Sequence, residues 1–335
     1  MILVTGGTGL LGSHLLFRLT SSNNKVRATY RSKPRLEHVK KIFSYYSDNP
    51  ELHFNKIEWI KADILDIPSM ELAFKGIDYV YHTAALISFD PRDFHLLKKV
   101  NIEGTANIVN LCIANQVKKL CYSSTIGTIG RSTTGAEANE ANEWTEQHVN
   151  VYALSKYAAE MEVWRGSQEN LPVVIVNPGV ILGPGYWKTG SGKFFTTASK
   201  GYSYFPPGGT GFVTVFDVAI SMLQLMDSSI SNERFILVGE NLSFKDMLGC
   251  IATKLGRKQP KKQLKNWQLQ IGRYFDWLRA MMTGSERKIT KKAIYSLLHP
   301  EVYSNEAIKK AINFEFEPLD TAIELACEKF IEECS

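Results

Sequence analysis

Gly7, Gly9 and Gly12 follow the apolar, β-branched run Met1–Thr5 and precede Ser13–Leu19, whose Leu and Phe positions have helical spacing. A Gly-x-Gly-x-x-Gly turn between a strand and a helix constrains this chain more than any other stretch. Glycine lets the backbone turn tightly and approach a pyrophosphate, and the helix N-terminus supplies N–H donors and the positive dipole end. Gly6, Gly7, Thr8, Gly9, Leu10, Leu11 and Gly12 are therefore the expected cradle of a dinucleotide. A ligand-free glycine turn is the bland alternative.

Strand and helix patterns then alternate. Val26–Arg31, Lys56–Ala62, Ile77–His82, Val117–Tyr122 and Leu171–Val176 read as strands, with helices at 34–46, 67–75, 93–115 and 149–168 between them. This alternation predicts an α/β fold, a Rossmann doubly wound parallel sheet. After Asn177 the texture becomes loop-like, with one more strand at 234–238. The expected division is 1–177 plus about 233–239 as the NAD(P)-binding domain, and 178–232 with 240–335 as a smaller C-terminal substrate-binding lobe.

A carboxylate about twenty residues past the glycines would read an NAD ribose. This chain has Tyr30, Arg31, Ser32 and Lys33 there. Arg31 suits a 2′-phosphate, so NADP(H) is expected over NAD(H), unless Arg31 and Lys33 merely face solvent. Asp63 can accept from the adenine amino group while Ile64 packs on the ring. Thr83, Ala84 and Ala85 are small where backbone must lie close to the cofactor. Ser123, Ser124 and Thr125 put hydroxyls at the carboxyl end of a strand, where open α/β sheets bind ligands. His82 reads as a satisfied structural histidine.

Tyr152 and Lys156 stand one helical turn apart. An ammonium beside a phenol favours the phenolate, so Lys156 is expected to lower the Tyr152 pKa toward neutral. Alone such a pair is equally an ordinary amphipathic helix. Of the 14 tyrosines only Tyr152 has a lysine four residues on.

In this order and spacing, Thr5–Gly12, Asp63-Ile64, His82–Ala85, Asn101–Thr105, Tyr122–Thr125, Tyr152-x-x-x-Lys156, Pro178–Pro184 and Asp217–Ala219 resemble the extended short-chain dehydrogenases/reductases. The resemblance lies within the epimerase/dehydratase group, nearest its dihydroflavonol reductase and 3β-hydroxysteroid dehydrogenase branch, and covers nearly all of residues 1–220. It implies an oxidoreductase in which Tyr152 is the acid/base, Lys156 binds the nicotinamide ribose, and Thr125, with Ser124 as alternate, polarises the carbonyl. It implies that Asn101 supports the site through a helix kink and a water relay. The backbone at Pro178, Val180 and Ile181 would hold the nicotinamide amide. A homodimer through the helices of Asn101 and Tyr152 is also implied.

Departures narrow the choice. Dehydratases of the family carry Asp-Glu after the threonine, and Ile126-Gly127 stand here. No arginine precedes Asp217 in Gly211–Phe216 to bind a sugar-nucleotide diphosphate. Both point to reduction of a ketone or aldehyde, or oxidation of the alcohol, on a small apolar molecule. The rivals are an NAD-linked epimerase or alcohol dehydrogenase, and a non-catalytic NADP-sensing protein. Trp187, Phe194, Phe195, Tyr202, Tyr204 and Phe205 are candidate lid aromatics, or simply core.

No apolar run reaches the ~20 residues of a membrane span, and Met1 is followed directly by Ile2-Leu3-Val4, so a cytoplasmic protein is expected. The five cysteines show no paired spacing, and with no Cys-x-x-Cys or His-Glu-x-x-His no metal site is expected. Nucleic-acid binding finds no support. Net charge is +5, yet residues 254–292 carry twelve Lys/Arg against two acids, a net +10 that leaves the remainder at −5. Within them Trp267, Ile271, Tyr274, Phe275, Leu278, Met281 and Met282 recur at helical spacing. Residues 265–283 thus read as a peripheral membrane contact, a lid, or a helix packed with its basic face in water.

Overall fold

The computed structural model describes residues 1–22, 24–132, 137–287 and 289–334. Lys288, one of the twelve cations above, lies outside them. In chain order the strands are β1 Ile2–Thr5, β2 Val26–Tyr30, β3 Ile57–Lys61, β4 Tyr79–His82, β5 Lys119–Ser123, β6 Val173–Pro178, β7 Val180–Leu182, β8 Tyr204–Phe205, β9 Gly209–Thr214, β10 Glu233–Leu237, β11 Glu240–Ser243 and β12 Lys262–Gln263. The helices are α1 Leu10–Thr20, α2 Pro34–Phe43, α3 Pro50–Phe54, α4 Ile67–Phe74, α5 Phe94–Leu97, α6 Gly104–Ala114, α7 Val151–Gln168, α8 Gly192–Ala198, α9 Val215–Asp227, α10 Phe244–Lys254, α11 Asn266–Thr283, α12 Lys291–Leu298, α13 Glu306–Ile312 and α14 Leu319–Cys334.

Seven strands make the central parallel sheet, in the order β10-β6-β5-β4-β1-β2-β3. Strand order reverses between β1 and β4, the crevice where open parallel sheets take ligands at their carboxyl ends. The strands read as nearly continuous apolar runs because helices cover both faces. Leu15, Leu16 and Leu19 of α1 pack one face with Val218, Met222 and Leu225 of α9. Phe74 of α4, Ile108 and Val109 of α6, and Ala159 and Val163 of α7 pack the other. Residues 215–227 fall in the range assigned above to the second lobe, yet the apolar face of α9 belongs to the sheet's own core.

The helix expected over 93–115 is broken. A 3₁₀ turn Pro91–Asp93 leads into α5, then a π-helical segment Lys98–Glu103, then α6. Asn101 sits inside the π segment, the kind of wide turn that often marks a functional site. It bonds main chain outside its own helix, accepting from Leu86 N at 2.8 Å and donating to Leu86 O at 3.0 Å.

The second lobe holds the sheet β11-β9-β7 and the β12-β8 pair. Of the candidate lid aromatics, Trp187, Phe195 and Phe205 are buried in its core with Met247, Ile251 and Phe330, and Phe194 packs against them. Only Tyr202 and Tyr204 are exposed. No helix among the described residues is long and apolar enough to cross a membrane.

Candidate active site

The glycine turn and the β4 end meet at the crevice. Gly6 has φ +75°, and a Cβ there would lie 2.5 Å from Ala84 N. Only glycine tolerates both conditions. Thr83 completes the contact, its hydroxyl donating to Thr5 O at 2.8 Å. Gly9 N closes the turn on Gly6 O at 2.9 Å. Helix α1 then begins with Gly9 as N-cap, no side-chain cap and no acid in its first turn. Its leading N–H groups therefore remain available to an anion. Tyr186 of the second lobe pins the turn from outside, donating to Thr8 O at 2.5 Å.

Arg31 and Asp63 lie at the ends of β2 and β3, with Arg31 Nη1 3.7 Å from Asp63 Oδ2. The pair is exposed and long, so it holds Arg31 weakly and yields readily to a phosphate. Ile64 departs from expectation. Its side chain is 7% exposed and packs into the space beside Gly104, which has no side chain of its own. It serves the core, and any contact with adenine falls to its main chain.

Helix α7 starts at an Asn150 cap, whose side chain accepts from Ala153 N. Its first turns present Tyr152 and Lys156. Lys156 is buried, and Nζ donates to Tyr122 Oη at 2.6 Å and to Ser123 O at 2.8 Å. The ammonium also lies 4.2 Å from the Tyr122 ring centre. Burial pushes Lys156 down to about 7, with Glu160 opposing. Burial pushes the Tyr152 phenol up to about 12. This overturns the expected lowering: Lys156 spends donors on Tyr122 and Ser123, and desolvation governs Tyr152. Among the described residues the Tyr152 hydroxyl makes no hydrogen bond. The phenol is thus a free, protonated donor at neutral pH.

Thr125 caps a 3₁₀ turn, Ile126–Thr128, accepting from Gly127 N at 3.3 Å while its own proton has no acceptor among the described residues. The Ser124 hydroxyl is turned to a buried carboxylate, against the expectation of an alternate to Thr125 or a cofactor contact. It is buried and donates to Glu160 Oε2 at 2.6 Å. Asn101 Nδ2 reaches Ser155 Oγ at 2.9 Å, joining the π segment to α7 between Tyr152 and Lys156. His82 is a structural histidine, bonded to Thr5 Oγ1 at 2.6 Å and Thr105 Oγ1 at 3.0 Å. Pro178, Val180 and Ile181 lie at the carboxyl end of β6 and on β7, next to the Ser123 end of the sheet.

Two residues escaped the sequence reading. Glu160 is fully buried one turn beyond Lys156. It accepts from Ser124, from Thr128 at 2.8 Å and from Asn177 at 3.0 Å, and pairs with Arg234 at 3.2 Å. It thereby ties α7 to the ends of β5 and β6 and to β10. Its spacing of four from Lys156 and eight from Tyr152 was the available signal. Phe89 meets the Tyr152 ring edge-on at 5.7 Å and, with exposed Ile87, gives that side of the site an apolar wall. No motif marks that loop.

The family model for the NAD-dependent epimerase/dehydratase family matches residues 2–205. The chain belongs to that family. Within it, this chain is 30% identical over 264 residues to sterol demethylase protein B of Methylococcus capsulatus, covering 77% of this chain and 76% of that protein. It is 29% identical over 287 residues to anthocyanidin reductase of Arabidopsis thaliana, covering 77% and 80%. The crystal structure of gox2253 superposes with a TM-score of 0.82 at 27% identity, over all of this chain and 98% of that one. The protein is an enzyme of the extended short-chain dehydrogenase/reductase kind, an NAD(P)-dependent oxidoreductase or epimerase acting between CH–OH and C=O. A small-molecule carbonyl or alcohol substrate follows from that membership.

Proposed function

We propose that this family member is an NADP(H)-dependent reductase of a ketone or aldehyde on a small, largely apolar molecule. The observation that carries the reading is the Tyr152 phenol, whose hydroxyl makes no hydrogen bond among the described residues and which stands beside an apolar wall. A protonated phenol in that position can give its proton to a developing alkoxide. NADP(H) fits the chain's residues: the uncapped N-terminus of α1 receives the pyrophosphate and Arg31 the 2′-phosphate. When bound, the cofactor supplies the hydride.

The protein's part follows from its own groups. Thr125 and Tyr152 donate hydrogen bonds to the carbonyl oxygen, and Tyr152 releases its proton to it. The protonated Lys156, with two of its N–H groups on Tyr122 and Ser123, offers the third to a ribose hydroxyl and steadies the phenolate left behind. Asn101 keeps α7 in register with the loop after β4, and Phe89 excludes water. Ile126 and Gly127 offer no second acid or base, in keeping with reduction alone. An NAD-linked reading has one observation in its favour, the Asp63 carboxylate beside Arg31.

A carbonyl panel assayed with NADPH and NADH in parallel tests the proposal. Carbonyl-dependent NADPH oxidation, lost in Tyr152→Phe, supports it. Cofactor binding with no turnover on any carbonyl or alcohol would favour an NADP sensor.

A further inference from the structure

Helix α11 is mounted inside out. Its protein-facing side is the narrow strip Leu269, Asp276 and Ala280. Its outward side carries Trp267, Ile271, Tyr274, Phe275, Met281 and Met282, about half a helix circumference away at ~100° per residue. Trp267 is 60%, Phe275 62% and Met282 76% exposed. Surface helices bury such faces and hydrate the polar one. The charged Asp276 turns inward instead, accepting from Arg279 at 2.8 Å and from Ile289 N at 3.0 Å.

The chain that leads into this helix is cationic. Lys258, Lys261 and Lys262 are exposed and, among the described residues, make no ion pair. Lys262 lies 5.8 Å from the ring of exposed Tyr204, and Lys200 5.9 Å from that of exposed Tyr202. Trp and Tyr among lysines, beside an apolar helical face, match the chemistry of a lipid headgroup boundary. A second copy of the chain would bring the same net +10 segment against itself, which like-charge repulsion opposes.

We propose that the outward face of α11 docks this protein on an anionic membrane surface, with its aromatic and methionine side chains in the headgroup region and the lysines of 258–262 on lipid phosphates and carboxylates. The segment after α11 is fastened to the active-site loop: Arg92 Nη2 donates to Ser285 O at 2.6 Å and Arg287 N to Asp90 Oδ2 at 2.7 Å. That loop carries Phe89, which touches Tyr152. The segment that follows the docked helix is therefore tied to the loop that walls Tyr152, which would lead a bilayer-dissolved apolar substrate toward the site. This last point rests on the reductase reading; the docking does not, and its test uses neither substrate nor cofactor.

The test is sedimentation of the full chain with vesicles of phosphatidylcholine alone or with about one-third phosphatidylserine. Uptake at least ~10-fold stronger on the anionic vesicles is expected, since each lysine near the surface contributes to binding. Two variants are compared: Trp267→Ser/Phe275→Ser/Met282→Ser, and Lys258→Gln/Lys261→Gln/Lys262→Gln. All six side chains are exposed, and unchanged circular dichroism and Tm show that each variant folds. Both variants should lose at least ~10-fold in uptake. No uptake by the folded parent protein, or equal uptake by the apolar variant, overturns the proposal. So does a concentration-dependent self-association, without vesicle uptake, that the apolar variant abolishes; this would give the face to a second copy.

Discussion

Lys156 Nζ donates to the Tyr122 hydroxyl at 2.6 Å. The lysine one turn beyond Tyr152 is thus held by the strand end beneath it. Its charge is set by burial and by Glu160. Tyr122→Phe removes this acceptor but keeps the ring under the ammonium. A loss of about 1 kcal/mol in kcat/KM, roughly fivefold, is expected in steady-state assays. A loss of a hundredfold or more would instead make Tyr122 a member of the proton path.

On the proposed NADP(H) reading, Arg31 carries the cofactor preference. In Arg31→Ala the 2′-phosphate loses a charge-assisted contact of about 1.5–3 kcal/mol, so KM for NADPH should rise at least ~10-fold while that for NADH changes little. Equal changes for the two cofactors would show that Arg31 does not read the 2′ position.

Asn101 satisfies both main-chain groups of Leu86 and reaches Ser155. Asn101→Ala leaves those groups unpaired in a half-buried site, at a cost of at most about 1–3 kcal/mol each. Urea unfolding should register the loss, and kcat should fall more than KM rises, because the side chain is spent on positioning α7. Unchanged stability and kcat would remove Asn101 from the site's framework.

Glu160→Ala takes the carboxylate partner from Arg234, leaving it on the Glu140 main-chain oxygen, and breaking a buried pair by removing one partner costs up to about 3–5 kcal/mol. Thermal or urea unfolding checks this. The double variant Glu160→Ala/Arg234→Met should recover part of the loss. A single variant as stable as the parent would mean that the cluster around Ser124, Thr128 and Asn177 holds without it.

Acid should destabilise the fold earlier than its carboxylates dictate. Burial pushes His14 down to about 4 and His82 to about 3. Above pH 6.5 both are neutral folded and unfolded. As pH falls below 6.5 the unfolded chain takes up protons first, so stability drops until the folded values are reached. Each histidine contributes up to about 1.4 kcal/mol per pH unit in that window. Asp78 and Asp90, held down to about 2, act only below the usual carboxylate range. His14→Gln should flatten the stability–pH curve between pH 6 and 4.5 by one such slope. A curve as steep as the parent's would place the acid sensitivity elsewhere.

The sheet, its order of elements and the glycine turn were legible because each is local: β-branched runs, glycines where only glycine fits, and helical spacing. The positions of Tyr152, Lys156, Thr125 and Asn101 were legible through motifs with fixed spacing. What was hidden is long-range. Lys156 finds Tyr122 and not Tyr152 because of how α7 lies on β5, which no spacing within α7 encodes. Ser124 and Thr125 are adjacent and alike in chemistry, and only the buried Glu160 separates their roles. Ile64 turned inward because Gly104, far along the chain, leaves room for it. The aromatic run after Trp187 mostly built the second lobe's core, whereas the aromatic beside Tyr152, Phe89, comes from a loop without a motif.

The central claim is that Tyr152 protonates a carbonyl while an NADP-type cofactor is consumed. The direct measurement is carbonyl-dependent loss of NADPH absorbance by the parent and by Tyr152→Phe at equal, confirmed cofactor occupancy. The account predicts turnover by the parent and a fall of at least ~10²-fold in kcat in the variant, with NADPH affinity little changed. Turnover by Tyr152→Phe at the parent's rate would contradict it.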